Sequence, residues 1–179
     1  MNFKQTFEML VDSFEKEKLP YALIGGFALE AAGVVRATMD LDLLVLSRNR
    51  DSIKAIMLSN GYTILHESKE VINFIGDDVN PGRVDFLLAH RKYALSMLKR
   101  AQKKLVFGGR TQTFVVAPED LIGLKVQAAA NDPDRFEREM VDIRMILNNC
   151  PDPLDYNRIE EYFDLFDMLE EYEKLTNAD

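Results

Sequence analysis

The sequence predicts an α+β fold, a sheet flanked by helices with a helical C-terminal part. Two observations predict it. Between Tyr21 and Val116, short apolar runs of strand length are interleaved with stretches whose apolar residues recur at helical spacing. From Pro118 onward the repeats are helical. At 179 residues the chain is long enough for a substantial core and argues for one domain with a helical extension. The expected division is a core over residues 1–117 and a helical region over 118–179 packed on the same domain.

The elements follow in order. Phe3, Phe7, Leu10, Val11 and Phe14 make Asn2–Lys18 an amphipathic helix, ended by Leu19-Pro20. Tyr21–Ile24 is a short apolar run, as in a buried strand, and Gly25-Gly26 stops it. Phe27–Ala32 suits a short helix ended by Gly33. Met39–Leu46 is the next strand. Ser47 is placed to cap a helix over Arg48–Asn60, with Ile53, Ile56 and Met57 inward and Gly61 after its end. Tyr62–His66 and Val71–Ile75 are strands joined by Glu67-Ser68-Lys69. Gly76–Gly82 is a turn-rich loop, so Asp77 and Asp78 are expected to be solvated. Arg83–Ala89 is a strand.

Lys92–Ala101 suits a helix with Tyr93, Leu95 and Leu98 partly buried, and Leu105–Phe107 and Thr113–Val116 form a hairpin around Gly108-Gly109. Pro118-Glu119-Asp120 begins a helix that runs to Asn131, with proline early and acids in the first turn. Asp132-Pro133-Asp134 breaks it, Arg135–Asn148 resumes, and Pro151–Pro153 is a hinge. Leu154–Leu175 is expected to be one acidic helix with Ile159, Tyr162, Phe163, Phe166 and Leu169 on its apolar face.

The chemistry concentrates in Tyr21–Leu46. A strand that delivers two glycines into a helix start can leave backbone N–H groups for an anion, with room for a phosphate; a plain tight turn is the alternative. Asp40 and Asp42, two apart in a strand, point to one face with Cα atoms roughly 6.5–7 Å apart. Leu41 and Leu43 point to the other. Two such carboxylates at ~4 Å and an effective dielectric of ~20 repel by about 4 kcal/mol, so a cation is expected to offset them. No His or Cys lies in the stretch, and oxygen ligation suits Mg²⁺ or Mn²⁺ shared with substrate phosphates. The alternative is a solvated strand edge. His66 and His90 are isolated and give no zinc spacing.

Gly25-Gly26, a short helix, then Asp40-Leu41-Asp42 resembles the signature of the DNA polymerase β-like nucleotidyltransferase superfamily, and Arg83-Val84-Asp85-Phe86-Leu87-Leu88 supplies its later third acid. The wording is most similar to AbiEii-like and related minimal bacterial nucleotidyltransferases, some of which are toxins of toxin–antitoxin pairs. The matching runs are Arg36-Ala37-Thr38-Met39-Asp40-Leu41-Asp42 and Leu121-Ile122-Gly123-Leu124-Lys125. Arg138-Glu139-Met140-Val141-Asp142 has Glu where related proteins more often have Asp. The resemblance covers residues 20–148.

It implies a nucleotidyltransferase fold with a mixed sheet, and metal-dependent transfer of a nucleoside monophosphate from an NTP to a hydroxyl acceptor, whether RNA, protein or a small molecule. Asp40 and Asp42 would bridge the metals, and Asp85 would bind the ion that activates the acceptor hydroxyl. An ion pair with a neighbouring arginine is the other reading of Asp85. Gly25 and Gly26 would cradle the triphosphate. Arg36, Thr38 and Lys125 are further phosphate contacts, and Asp142 orients Lys125 or holds two helices together. A toxin would also imply an antitoxin or another protein partner. The rival reading is a non-catalytic interaction module that binds through its acidic helix.

Composition bounds the rest. One cysteine, Cys150, excludes an internal disulfide and fits a reducing cytoplasm. No run approaches the ~20 apolar residues of a membrane span. The net charge of −8 lies entirely in residues 152–179, which hold ten acids against Arg158 and Lys174. The remaining body is neutral, which excludes a bulk electrostatic grip on nucleic acid. A local one stays open: His90–Ala117 has no acid and holds Arg91, Lys92, Lys99, Arg100, Lys103, Lys104 and Arg110. It is either an electropositive wall for RNA or triphosphate or a solvated surface.

Overall fold

A computed structural model describes residues 3–38, 40–77 and 82–177. The chain divides into two compact units, residues 1–28 with 36–116, and 29–35 with 117–179. Met39, Asp78 and Asn2, which the sequence places in a strand, a loop and a helix, lie outside the described residues.

The first unit holds a seven-stranded mixed sheet: β1 (Tyr21–Ile24), β2 (Asp40–Leu46), β3 (Tyr62–Glu67), β4 (Val71–Gly76), β5 (Arg83–Ala89), β6 (Gln102–Val106) and β7 (Thr111–Val115). Their spatial order is β3-β4-β5-β2-β1-β7-β6. β2 pairs parallel to β5, and β1 parallel to β7; the other neighbours are antiparallel. Leu41, Leu43, Val84, Phe86, Ile72 and Phe74, all 0% exposed, form one face. Helix α1 (Phe3–Glu17) inserts Phe7, Leu10 and Phe14 into the core. The ring of Phe14 lies 5.4 Å from Tyr21 and 6.2 Å from Phe86. Each such buried side chain contributes roughly 1.5–3 kcal/mol.

The ends of several elements differ from expectation. Helix α1 stops because Lys18 turns left-handed (φ 55) and Leu19 N–H reaches back to the Phe14 carbonyl, one turn ahead of Pro20. Helix α2 (Gly25–Ala31) starts at the glycines themselves, so Gly25-Gly26 form its first turn and not a separate one. Ser47 does not cap: a 3-10 turn over Ser47–Asn49 precedes α3 (Arg50–Ser59). Helix α4 (Lys92–Arg100) buries Met97 most deeply. The hairpin turn falls one to two residues early, because Phe107 joins Gly108 and Gly109 in left-handed geometry (φ 57, 68 and 73).

The second unit contains α5 (Pro118–Asn131), α6 (Phe136–Asn149), α7 (Tyr156–Leu165) and α8 (Leu169–Thr176). The single C-terminal helix expected from the sequence is therefore two. Asp167 adopts φ 56, and Met168 N–H bonds the Phe163 carbonyl at 2.8 Å, which closes α7. Asp is among the few non-glycine residues that tolerate this geometry. After the break Phe163, 0% exposed, packs against the Tyr172 ring at 5.5 Å. No described helix is long and apolar enough to cross a membrane.

Candidate active site

Strand register assembles the site. On the sheet face opposite the Leu41–Leu43 core, Asp42 stands directly beside Asp85, and Asp40 beside Arg83. Neighbouring strands are about 4.8 Å apart, so these pairs are adjacent without any loop to position them. On the other side of β5, Asn73 is opposite Asp85, and across β1 Ile24 is opposite Asp42. The row Ile24, Asp42, Asp85, Asn73 therefore crosses four strands. Leu41 and Leu43 on the reverse face are fully buried, so β2 cannot slip by one residue without driving both aspartates into the core.

Gly25 and Gly26 hold Asp42 in place. Gly25 has φ +64, and a methyl there would overlap Asp42 Oδ2 and lie 2.6 Å from its Cγ. The Gly26 N–H donates to the Asp42 carboxylate. A methyl on Gly26 would lie 2.5 Å from Thr38 Oγ1 and 2.6 Å from Thr38 Cβ. Thr38 Oγ1 in turn donates to the Asp40 carbonyl at 3.2 Å. What approaches the glycines is thus Asp42 and Thr38.

Burial pushes the Asp42 carboxyl up to about 7; the charges of Asp85 and then Asp40 push the same way, and Arg83 and the Gly26 N–H oppose them. Asp85 is engaged: Arg83 Nε donates to its Oδ1 at 2.8 Å. The arginine pair foreseen as the other reading of Asp85 is present, on the same face as the acids.

The residues brought together are Asp40, Asp42, Asp85, Gly25, Gly26 and Thr38, all in the first unit. Arg36 is in that unit and exposed. Lys125 belongs to the second unit, 8% exposed, where its ammonium donates to Asp142 at 2.6 Å and Glu139 at 2.9 Å. The Glu139 carboxylate also takes Arg135 at 2.6 Å and Arg138 at 3.1 Å. Burial raises the Glu139 pKa, but Lys125 and Arg135 outweigh it and hold the group at about 2. Asp77 is exposed, as its loop position suggests.

One residue of the row, Asn73, went unrecognised in the sequence, and the partner of Asp85 was foreseen only as a neighbouring arginine. Arg83 precedes Asp85 by two in a strand, a spacing that by itself puts both on one face. Asn73, 9% exposed, is the lone polar residue of Val71–Gly76.

Whether the row suits a divalent ion can be tested on its chemistry. It offers oxygen donors only, three carboxylates against one guanidinium, and the strain on Asp42 is relieved by added positive charge. Among the described residues no three acids, histidines or cysteines are gathered as a ready cage. The donor set fits Mg²⁺ or Mn²⁺; Asp85 would have to give up Arg83.

The architecture is the nucleotidyltransferase fold, a mixed sheet with flanking helices and a helical C-terminal part. A crystal structure of ANT(2'')-Ia in complex with adenylyl-2''-tobramycin is similar to 93% of this chain and 98% of its own, with a TM-score of 0.70 and 17% identity. An antigenic nucleotidyltransferase-like protein from Paracoccidioides brasiliensis matches at TM-score 0.61 and 14% identity over 98% of this chain and 90% of that one. The lincosamide antibiotic adenylyltransferase LnuA, lincomycin-bound, matches at 0.53 and 15% over 82% and 96%. At these identities the likeness is one of fold. No protein-family model and no curated protein sequence matches the chain.

Proposed function

We propose that this protein is a nucleotidyltransferase that moves a nucleoside monophosphate from an NTP to a hydroxyl acceptor. The observation that carries the reading is the row in which Asp40 and Asp42 share a face with Asp85, with Gly25-Gly26 packed against Asp42. The acceptor oxygen attacks the α-phosphorus, the bond to the β-phosphate oxygen breaks, and pyrophosphate leaves.

Asp40, Asp42 and Asp85 are the residues that would hold Mg²⁺ or Mn²⁺, which when bound neutralises triphosphate charge and makes the acceptor hydroxyl more acidic. In this reading Asp85, whose side chain is 19% exposed, would take the hydroxyl proton. Gly25 and Gly26, in the first turn of α2, would contact the triphosphate through their backbone, beside the Asp42 and Thr38 side chains that already approach them. Arg36 and Thr38 are further phosphate contacts. Lys125 is a weaker candidate, because Glu139 and Asp142 already share its charge.

For the acceptor, a small molecule with a free hydroxyl is the first class to test. ANT(2'')-Ia, seen in complex with adenylyl-2''-tobramycin, and the lincosamide antibiotic adenylyltransferase LnuA, seen with lincomycin, are each matched over more than nine-tenths of their length. RNA or protein acceptors, and a toxin role with an antitoxin partner, rest on the motif wording.

The test supplies each common NTP labelled at the α-phosphate, with Mg²⁺, to total RNA, total protein and a hydroxyl-bearing panel that includes tobramycin and lincomycin. Label should enter one fraction, stay out when Mg²⁺ is chelated, and be lost in Asp42→Ala. Label transfer that survives in Asp42→Ala defeats the reading.

A further inference from the structure

We propose that Arg83 is a resident counter-cation of the acidic row, displaced from Asp85 when a divalent ion binds. The inference rests on the reading of Asp40, Asp42 and Asp85 as the metal-holding set. Its ground is position. The register of β5 against β2 puts the Arg83 Cα opposite Asp40 and two residues from Asp85, so the guanidinium lies within reach of the row. It bonds Asp85 through Nε at 2.8 Å, not through the two-pronged fork that makes arginine–carboxylate pairs tenacious. Its side chain is 41% exposed and Asp85's 19%, so the long arm can swing to solvent while the carboxylate stays.

The competition follows from charge. An oxygen that accepts from a guanidinium is a poorer ligand for an ion, and a divalent ion beside Asp85 is repelled by the arginine. Arg83 should therefore stabilise the metal-free sheet and weaken metal binding. Two other roles make different predictions. An arginine that merely braces the strand would leave metal affinity unchanged, and one that aims Asp85 at the ion would strengthen it.

The experiment is Mn²⁺ titration of the full chain at pH 8 without nucleotide, with free Mn²⁺ read by electron paramagnetic resonance. Arg83→Gln should bind Mn²⁺ about tenfold more tightly than wild type, and Arg83→Lys, which keeps the charge, should lie near wild type. Without metal, Arg83→Gln should melt below wild type, and saturating Mn²⁺ should narrow the gap. Unchanged or weaker Mn²⁺ binding in Arg83→Gln, with binding still lost in Asp42→Asn, overturns this inference and leaves the proposed function standing. Wild-type binding that Asp42→Asn does not diminish, or no wild-type binding alongside none in Arg83→Gln, overturns both.

Discussion

Asp42 and Asp85 stand directly opposite one another on neighbouring parallel strands, with an arginine rather than a second apolar pair beside them. Like charges in that relationship destabilise a sheet. The cost is visible in Asp42, whose carboxyl is pushed to about 7 by burial and by these neighbours. A sheet built for stability alone would not keep this row.

That cost has a sign. The folded pKa of Asp42 lies above its ordinary value of 3.8, so the native state holds a proton that the unfolded chain releases. Its favourable contribution is fully present below about pH 4 and is lost as pH rises through about 7. The penalty at pH 8 is on the order of 2–4 kcal/mol. Asp42→Asn should therefore raise the metal-free melting temperature by several degrees at pH 8 and change little at pH 3.5, while abolishing transfer. Thermal unfolding with a chelator at both pH values checks it; equal shifts at the two would contradict the assignment of strain to this carboxylate.

The same proton links pH to metal. An ion bound at the row must displace it, so the stabilisation given by a fixed Mn²⁺ concentration should be full at pH 8 and fade below about pH 7. Melting curves with and without Mn²⁺ across pH 6–8 measure this. A pH-independent Mn²⁺ effect would place the ion elsewhere.

Asp40 and Asp42 could be put on one face from the sequence because β-strand period is fixed at two, whereas Asp85 entered only through its resemblance to the third acid of the nucleotidyltransferase signature. The strands were readable because Pro20 and Gly25 bound Tyr21–Ile24 and Gly82 precedes Arg83–Ala89. What was hidden depends on pairing between distant strands. Nothing local says that Asn73 sits opposite Asp85. Helix ends made by left-handed Lys18 and Asp167 were also hidden, because neither residue type announces that geometry as glycine does. The merged reading of α7 and α8 failed for this reason: the apolar spacing continues across Asp167 while the backbone does not.

Gly25 and Gly26 should respond differently to added methyls. Gly25→Ala faces both a left-handed φ and an overlap with Asp42, so a loss of roughly 2–4 kcal/mol is expected. Gly26 is not in the left-handed region, and its obstacle is Thr38 alone among the nearest atoms. Gly26→Ala should destabilise less, and adding Thr38→Gly should recover most of the loss. Urea unfolding of the single and double variants reads the coupling; strictly additive losses would mean that Thr38 is not the constraint.

In the second unit, Lys125 holds two carboxylates that are 3% and 2% exposed in their side chains. Lys125→Met leaves both buried without their shared cation and should cost about 3–5 kcal/mol at pH 7. The pH dependence again has a definite direction. Glu139 sits at about 2, below its ordinary 4.5, so its contribution is present above about pH 4.5 and is lost as pH falls towards 2. The difference between wild type and Lys125→Met should shrink over that interval. Urea unfolding at pH 7 and pH 3 is the measurement, and an undiminished difference at pH 3 would assign the effect to packing.

Gly123 is the contact point of two helices in that unit. A methyl there would lie 2.7 Å from the Tyr162 ring, and Tyr162 OH donates to buried Asp120 at 2.7 Å. The ring therefore cannot retreat without breaking that bond. Gly123→Ala should destabilise the protein despite alanine's better helix propensity, which alone would favour it by about 1 kcal/mol. Gly123→Ala combined with Tyr162→Leu, which removes both ring and hydroxyl, should show a smaller loss than the sum of the two single changes. A Gly123→Ala variant that matches or exceeds wild-type stability would show that α5 and α7 can move apart, and that the Tyr162–Asp120 bond does not fix their approach.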